Sequence, residues 1–118
     1  MNGLPITIDL SPLLGKELVQ VCIGAFQFIL NFDADVRIAV EGTCVYCSPK
    51  DVPIEIDNYR EQASLLCSLV GTQISSAERD SNGGLDLHFA NGATLQILNS
   101  SHEYESFQVH VGQQFYVA

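Results

Sequence analysis

The fold is decided by a stretch that reads FILNFDADVRIAV at residues 28–40 and by its counterpart LDLHFANGATLQI at residues 85–97. In both segments apolar residues alternate with other residues, the alternation is interrupted for three positions, and it then resumes. This pattern is typical of two strands that each bury one face. Residues that face each other across an antiparallel pair lie on the same side, so Phe32 must pair with Val36. The first segment therefore predicts a hairpin with a three-residue loop, and the second predicts the same.

The last position of each loop favours left-handed backbone in this type of hairpin. Asp35 occupies it in the first segment, and aspartate tolerates that region better than most residues. Gly92 occupies it in the second, at no steric cost. A tighter turn at Asn91 and Gly92 would place Phe89 opposite the wrong face, so the pattern argues against it.

The two hairpins belong to a longer internal pseudo-repeat, which we place at about residues 11–47 and 66–98. Gly15 and Gly71 correspond at an offset of 56 residues, and the hairpins correspond at an offset of 57. One residue is therefore inserted between glycine and hairpin in the second copy. We expect residues 1–118 to form a single domain that contains two repeated β-meander units.

The remaining sequence predicts an opening strand at Ile6–Leu10 and a closing hairpin of Phe107–Val111 and Gln114–Val117. A helical stripe predicts one central α-helix at about residues 58–69, which Gly71 ends. The predicted fold class is α+β and mostly antiparallel β. The two meanders would form a half-barrel or a two-layer sandwich, with the helix plugging one end or lying across the concave sheet.

The charge balance of the chain limits its partners. Five basic residues against 14 acidic ones give a net charge of −9. Such a field repels nucleic acid and anionic membranes, so a macromolecule bound largely through charge would be basic. The same charge also serves solubility without any partner, and composition alone leaves both interpretations open.

The sequence predicts a cytoplasmic protein. No charged segment precedes an apolar run in the manner of a secretory signal. The longest apolar stretch, Leu18–Phe32, is short and carries polar residues, so it would not span a bilayer. The four cysteines lie inside apolar stretches, as expected for reduced and mostly buried thiols: Cys22, Cys44, Cys47 and Cys67.

Two arrangements deserve a test as chemical sites. Cys44 and Cys47 have C-x-x-C spacing, but the Val and Tyr between them indicate a strand and not the turn or helix start that zinc and redox sites use. His88 and Asp86 share a strand face and would suit a base oriented by a carboxylate, although no nucleophile accompanies them. We therefore expect no catalytic residue, no cofactor and no metal, and a surface pair at His88.

Acidic residues cluster at two places. Asp33 and Asp35 flank the first hairpin loop, where their side chains would satisfy turn geometry or face a partner. Glu103 and Glu105 flank Tyr104, which resembles an interface anchor between charges. Tyr104 would otherwise turn inward at the entry to the next strand. These five residues are the predicted partner-binding residues.

Four short segments, spread along most of the chain, carry a resemblance to known proteins. They are Leu14–Gly15, Val21–Gly24, Phe32–Ile38 and Glu103–Phe107. Their arrangement resembles a family of small uncharacterised β-rich bacterial proteins, some of which look like immunity proteins of contact-dependent and polymorphic toxin systems. The resemblance implies a cytoplasmic antidote that binds a cognate toxin domain, often a nuclease, and blocks its active site or its substrate path.

The predicted function is thus a non-enzymatic immunity protein that neutralises a basic toxin domain, such as a nuclease, through an acidic surface. Complementary charge would raise the rate of association. An alternative is a ligand-binding or homo-oligomeric structural β domain, including a homodimer formed through exposed strands. A third interpretation is an enzyme that uses His88 with Asp86.

Overall fold

The computed structural model of the protein describes residues 3–99 and 106–118. Within those residues the chain forms ten β-strands, a turn of 3-10 helix at Ser11–Leu13 and one α-helix, α1, at Ala63–Cys67. The strands are β1 (Leu18–Ile23), β2 (Phe28–Phe32), β3 (Val36–Val40), β4 (Cys44–Cys47), β5 (Ile54–Ile56), β6 (Ile74–Arg79), β7 (Leu85–Phe89), β8 (Thr94–Ile97), β9 (Phe107–Val111) and β10 (Gln114–Val117).

The strands form two five-stranded antiparallel sheets. The first has the order β1-β2-β3-β9-β10 and the second has the order β5-β4-β8-β7-β6. Neither sheet closes into a barrel in the part of the chain that the structure describes. The protein is therefore broadly α+β, mostly antiparallel β with one short helix. No helix within residues 3–99 and 106–118 is long and apolar enough to cross a membrane.

The two sheets share one hydrophobic core. In β2, β4 and β7 alternate residues are buried in it while their neighbours are partly exposed, because side chains alternate sides along a strand. Tyr59 joins this core from the segment before α1, where its ring meets that of Phe28 edge-on at a centroid distance of 4.9 Å. Its hydroxyl donates to the carbonyl oxygen of Gly42. Burial raises the pKa of Tyr59 to about 12.

Hydrogen bonds between the two sheets recur at a fixed sequence offset. The N–H of Gly15 donates to the carbonyl of Ile74, and the N–H of Gly71 donates to the carbonyl of Leu18, each at 2.8 Å. Gly15 and Gly71 are 56 positions apart, as are Leu18 and Ile74. Each bond is thus the counterpart of the other at an offset of 56 residues.

The edge strands β1 and β6 each have an irregular register, and the two irregularities also lie 56 residues apart. The pairing of β1 with β2 shifts between Leu18 and Gln20, and that of β6 with β7 shifts between Ile74 and Ser76. The change of offset from 56 to 57 has a local cause. Four residues connect β1 to β2, whereas five connect β6 to β7.

The predicted registers of both hairpins are confirmed. Asn31 pairs with Arg37, as a three-residue loop between β2 and β3 requires, and β7 pairs with β8 in the same way. Asp35 and Gly92 adopt the left-handed backbone predicted for them, with φ values of 61° and 91°. Ala34 also has a positive φ of 55°, so the first loop uses two left-handed residues in succession.

The prediction of a helix over residues 58–69 is wrong in extent, because α1 has five residues. The segment before α1 forms a turn instead, which side-chain hydrogen bonds hold together. The Gln62 side-chain oxygen accepts from the backbone N–H groups of Asp57 and Asn58, both at 3.1 Å. Local side-chain bonds of this kind compete with helix formation. Leu66 and Leu69 of this region are nevertheless buried in the core.

The predicted opening strand at Ile6–Leu10 is also wrong. Pro5 has no N–H to give a ladder, and its carbonyl accepts from Ile8 in a turn at 3.1 Å. Ile6 is 84% exposed, whereas Leu4 is buried. The side chain of Arg79 on β6 holds this segment in place, because its Nε donates to the Leu4 carbonyl at 2.7 Å.

Candidate functional site

Asp33 and Asp35, two of the predicted partner-binding residues, are both exposed at the loop between β2 and β3. One Asp33 carboxylate oxygen accepts from the N–H of Glu17 at 3.1 Å, which ties the loop to the edge of the first sheet. The Asp35 carbonyl accepts from the N–H of Gly112 at 3.0 Å. The two residues therefore support the loop, and their exposed carboxylates stay predicted partner contacts. The other three predicted residues, Glu103, Tyr104 and Glu105, lie outside the described residues.

The outer side of the second sheet carries a row of acidic side chains that crosses the whole sheet. Cross-strand partners place one residue of each strand in this row, in the order Glu55, Val45, Gln96, Asp86 and Glu78. Neighbouring strands are about 4.8 Å apart, so Glu55 and Asp86 are separated by about 14 Å. We call Glu55, Asp86 and Glu78 the acidic row.

The acidic row includes an unfavourable pair. Glu78 and Asp86 are direct cross-strand partners, and like charges in that position destabilise a sheet. Burial raises the pKa of Asp86, and the nearby Asp80 and Glu78 carboxylates raise it further, whereas His88 acts in the opposite direction. One carboxylate oxygen of Asp86 is buried without a hydrogen-bond partner among the described residues. This carboxylate is consequently under-satisfied in the isolated chain.

The outer side of the first sheet has a different character. Its corresponding row consists of Gln20, Asn31, Arg37, His110 and Phe115, again one residue from each strand. The ring of His110 packs against that of Phe115 at a centroid distance of 4.4 Å. Arg37 Nη2 lies 3.4 Å from one ring nitrogen of His110 and 3.5 Å from the other. Burial lowers the pKa of His110, and the Arg37 charge lowers it further.

A depression of about 250 Å³ opens beside this row, lined by Asn31, Asp35, Arg37, His110 and Gly112. We call it the Arg37 depression. It combines one cation, one imidazole and an adjacent aromatic ring, which are side chains suited to holding a ligand.

The cysteine and histidine candidates take ordinary strand positions. Cys44 is buried and Cys47 is partly exposed, since residues three apart on a strand point to opposite sides. The expectation of mostly buried thiols is wrong, because Cys22 and Cys67 are exposed. Burial raises the pKa of the Cys44 thiol to about 12. His88 and Asp86 both face outward on β7, as predicted. Within residues 3–99 and 106–118, no group of three or more His, Cys, Asp or Glu side chains is placed to hold a metal ion.

Sequence reasoning missed Glu55, Glu78, Arg37 and His110 as candidate residues. Alternation along each strand predicts that such residues face outward. It does not predict that they meet, because the rows depend on the pairing of β4 with β8 and of β3 with β9, strands that are distant in sequence. The signal that was available is the single Arg37 in the middle of an otherwise uncharged strand.

The architecture defines a class, a two-sheet antiparallel β domain with one acidic and one Arg-containing outer side. The chain belongs to DUF6188, a family of unknown function whose model matches residues 10–118. No curated protein and no solved structure matches the chain.

Proposed function

We propose that this protein is a binding domain whose acidic row docks a basic protein, and that it acts as an immunity protein against a basic toxin domain such as a nuclease. The single observation that supports this proposal is the cross-strand pair of like charges, Glu78 and Asp86, on the outer side of the second sheet. An arrangement that costs the free protein stability gains favourable contacts when a cationic partner covers it.

The charge of the whole chain supports the same proposal. A net charge of −9 extends the field of the acidic row into solution and speeds encounter with a basic surface. A nuclease toxin needs a basic surface to bind phosphate groups. That surface would be complementary in charge to the acidic row. An inhibitor of this kind works by covering the toxin and needs no catalytic group. Four free cysteines fit a protein that acts in the reducing cytoplasm.

We also propose that the two sheets are built on two copies of one β-meander, packed as a two-layer sandwich within a single domain. The paired bonds of Gly15 and Gly71 support this proposal. The register shifts that recur at the same offset in β1 and β6 support it as well. Repeated units would leave two similar outer sides free to diverge in chemistry.

The test is growth protection. The C-terminal domain of any large secreted protein encoded immediately upstream would be expressed in a bacterial host, with and without this protein. Co-expression should restore growth, and the purified pair should bind in a salt-sensitive manner. The variant Glu55→Lys/Glu78→Lys should slow association at least about tenfold, because it reverses two charges of the acidic row.

Two control variants separate the surfaces. Glu41→Lys/Glu61→Lys changes the net charge by the same amount at two exposed residues that are not part of the acidic row and should associate at nearly the normal rate. Asp33→Asn/Asp35→Asn tests the loop carboxylates, with asparagine keeping an acceptor at Asp33 and tolerance of positive φ at Asp35. If only the loop variant lost binding, the partner would dock at the loop and not at the acidic row. The immunity proposal would fail if the upstream domain did not inhibit growth, or if co-expression of this protein did not restore growth.

A further inference from the structure

The Arg37 depression has features that the acidic row and the proposed toxin contact do not use. Arg37 is one of five basic residues in a chain with 14 acidic ones. The guanidinium of Arg79, by comparison, donates hydrogen bonds to the carbonyl oxygens of Leu4 and Asp80. Arg37 contacts His110 instead of a carboxylate or a carbonyl.

The guanidinium of Arg37 is only weakly engaged by that contact. Its Nη2 is nearly equidistant from both ring nitrogens of His110, at 3.4 and 3.5 Å. Both distances are at the outer limit for a hydrogen bond, so neither nitrogen is a committed acceptor. The planar fork of donors of an exposed arginine matches a carboxylate in a bidentate manner. The guanidinium of Arg37 therefore keeps hydrogen-bond donors that a ligand can use.

The His110 ring lies beside the guanidinium, and a second aromatic ring, that of Phe115, packs against His110 on the neighbouring strand. Phe115 is 51% exposed and packs on one side of the His110 ring. Because burial and Arg37 hold the pKa of His110 below its usual value, the ring is mostly uncharged at neutral pH and presents a flat, weakly polar surface. Exposed aromatic rings of this kind pack well against another flat ring.

Asp35 restricts the charge of a ligand. It lines the depression together with Arg37, so one negative and one positive side chain border the same space. A dianion would be repelled by Asp35 and by the net charge of −9. A monoanion can pair with Arg37 at a smaller electrostatic cost. The volume of about 250 Å³ is sufficient for one ring and one carboxylate.

We propose that the Arg37 depression binds a small aromatic carboxylate, with the carboxylate on the Arg37 guanidinium and the ring against His110, at the edge where Phe115 packs on it. This ligand site goes beyond the proposed toxin contact, because it lies on the other sheet and uses a cation in place of the acidic row. The class of ligand is a flat, singly charged organic acid.

The test uses benzoate as the probe and protein NMR as the measurement. Benzoate at neutral pH should cause saturable shifts of the His110 ring and of the backbone N–H signals of Gly112 and Phe115. Benzamide has the same ring without the charge and should bind at least about tenfold more weakly, since it forms no charge-assisted pair. Phenyl phosphate should also bind more weakly, because it carries a second negative charge.

Variants of the lining and neighbouring residues show which side chains contribute to benzoate binding. Arg37→Gln should weaken benzoate binding at least about tenfold, and Arg37→Lys should weaken it less, because lysine keeps the charge but loses the fork. Arg60→Gln removes one exposed arginine elsewhere and should leave binding unchanged. Asp35→Asn should tighten binding about two- to fivefold by removing the opposing charge. Phe115→Ala should weaken benzoate about threefold, because it removes the ring-to-ring contact.

Several results would overturn the site. They are the absence of saturable shifts at any soluble benzoate concentration, benzamide binding as tightly as benzoate, and phenyl phosphate binding more tightly than benzoate. The gain expected for Asp35→Asn keeps the proposal falsifiable if Arg37→Gln fails to fold, because misfolding cannot tighten binding. Growth protection by Arg37→Gln and Phe115→Ala would be unaffected, so a failure here is distinguishable from a failure of the immunity proposal.

Discussion

The two sheets of this protein share a hydrogen-bonding plan but not an outer chemistry. Along the second sheet the outward positions of one row include Glu55, Asp86 and Glu78, whereas along the first sheet one row includes Arg37 and Phe115. The inward positions of both sheets are apolar and join one core. Packing therefore constrains one side of each strand, and the other side is left open to change.

This difference shows where function is to be sought in the molecule. The residues at equal offsets are those that folding needs, such as the glycines that connect the sheets. The residues that differ between the two outer sides do not form the backbone hydrogen bonds that join the sheets. We infer that the two outer sides serve different contacts, and the experiments below test how far the equivalence of the sheets extends.

The largest expected effects come from the shared core. Leu30 and Leu87 are 57 positions apart and both fully buried. Leu30→Ala and Leu87→Ala should each lower the free energy of unfolding by about 2–5 kcal/mol, from lost burial and the cavity that remains. Denaturant unfolding of both variants measures this. A loss below about 1 kcal/mol at one site alone would mean that the two sheets do not contribute equivalent core positions.

The two hairpin loops should respond unequally to the same substitution. Gly92→Ala places a Cβ at a φ of 91° and 2.7 Å from Pro49 Cγ, so we expect a loss of about 1–2 kcal/mol. Asp35→Ala should cost less, under about 1 kcal/mol, because a residue with a Cβ already occupies that left-handed position. Thermal or denaturant unfolding gives both values. Equal losses would contradict the idea that the second loop depends on glycine.

Much of the fold follows from local pattern. The apolar alternation at residues 28–40 and 85–97 predicts strands, register and left-handed loop positions, because a shift by one residue would expose the core face. The helix was less predictable. Asn58 resembles a helix cap, yet it closes a turn with Gln62, and only the competition between side-chain and backbone bonds decides between these outcomes.

The candidate sites were predictable only in part. Asp33 and Asp35 were found because they flank a recognisable loop, but the bond from Asp33 to Glu17 spans 16 residues and has no local signal. The acidic row requires β4 to pair with β8, and the row through Arg37 requires β3 to pair with β9. Alternation gives the side that each residue faces, whereas neighbours on that side depend on long-range strand order.

Removal of one acidic-row charge should stabilise the free protein modestly. Asp86→Asn eliminates the repulsion from the facing Glu78, so the free energy of unfolding at pH 7 should rise by about 0.2–1 kcal/mol. The gain should depend on pH. The folded pKa of Asp86 is raised above its ordinary value of 3.8, so the folded protein holds this proton more tightly than the unfolded chain. The stabilisation from that proton is present below pH 3.8 and is lost as pH rises through the folded pKa.

Unfolding measurements at several pH values test this directly. The difference between Asp86→Asn and the parent should be largest at neutral pH and should shrink in acid. Glu55→Gln is the matched control, since its cross-strand partner is Val45 and no carboxylate faces it directly. A loss of stability in Asp86→Asn at neutral pH would mean that this carboxylate is already satisfied in solution, which would weaken the case for a basic partner.

The smallest expected effect concerns the other outer side. Arg37→Gln should raise the pKa of His110 toward its ordinary value of 6.5, because the guanidinium is one of the two causes that lower it. The pKa should stay below that value, since burial is the larger cause and the substitution leaves it in place. Charged or titratable groups that border His110 are Arg37 and the nearby loop residue Asp35, with Phe115 covering one side of the ring.

An NMR titration of the His110 ring signals in both proteins measures this shift. The His88 ring lies on the other sheet, so its signals should be the same in parent and variant. An unchanged His110 curve would mean that the guanidinium does not stay near the ring in solution. The Arg37 depression would then lack the preformed pairing of cation and ring that distinguishes it from the acidic row, and the contrast between the two outer sides would reduce to net charge alone.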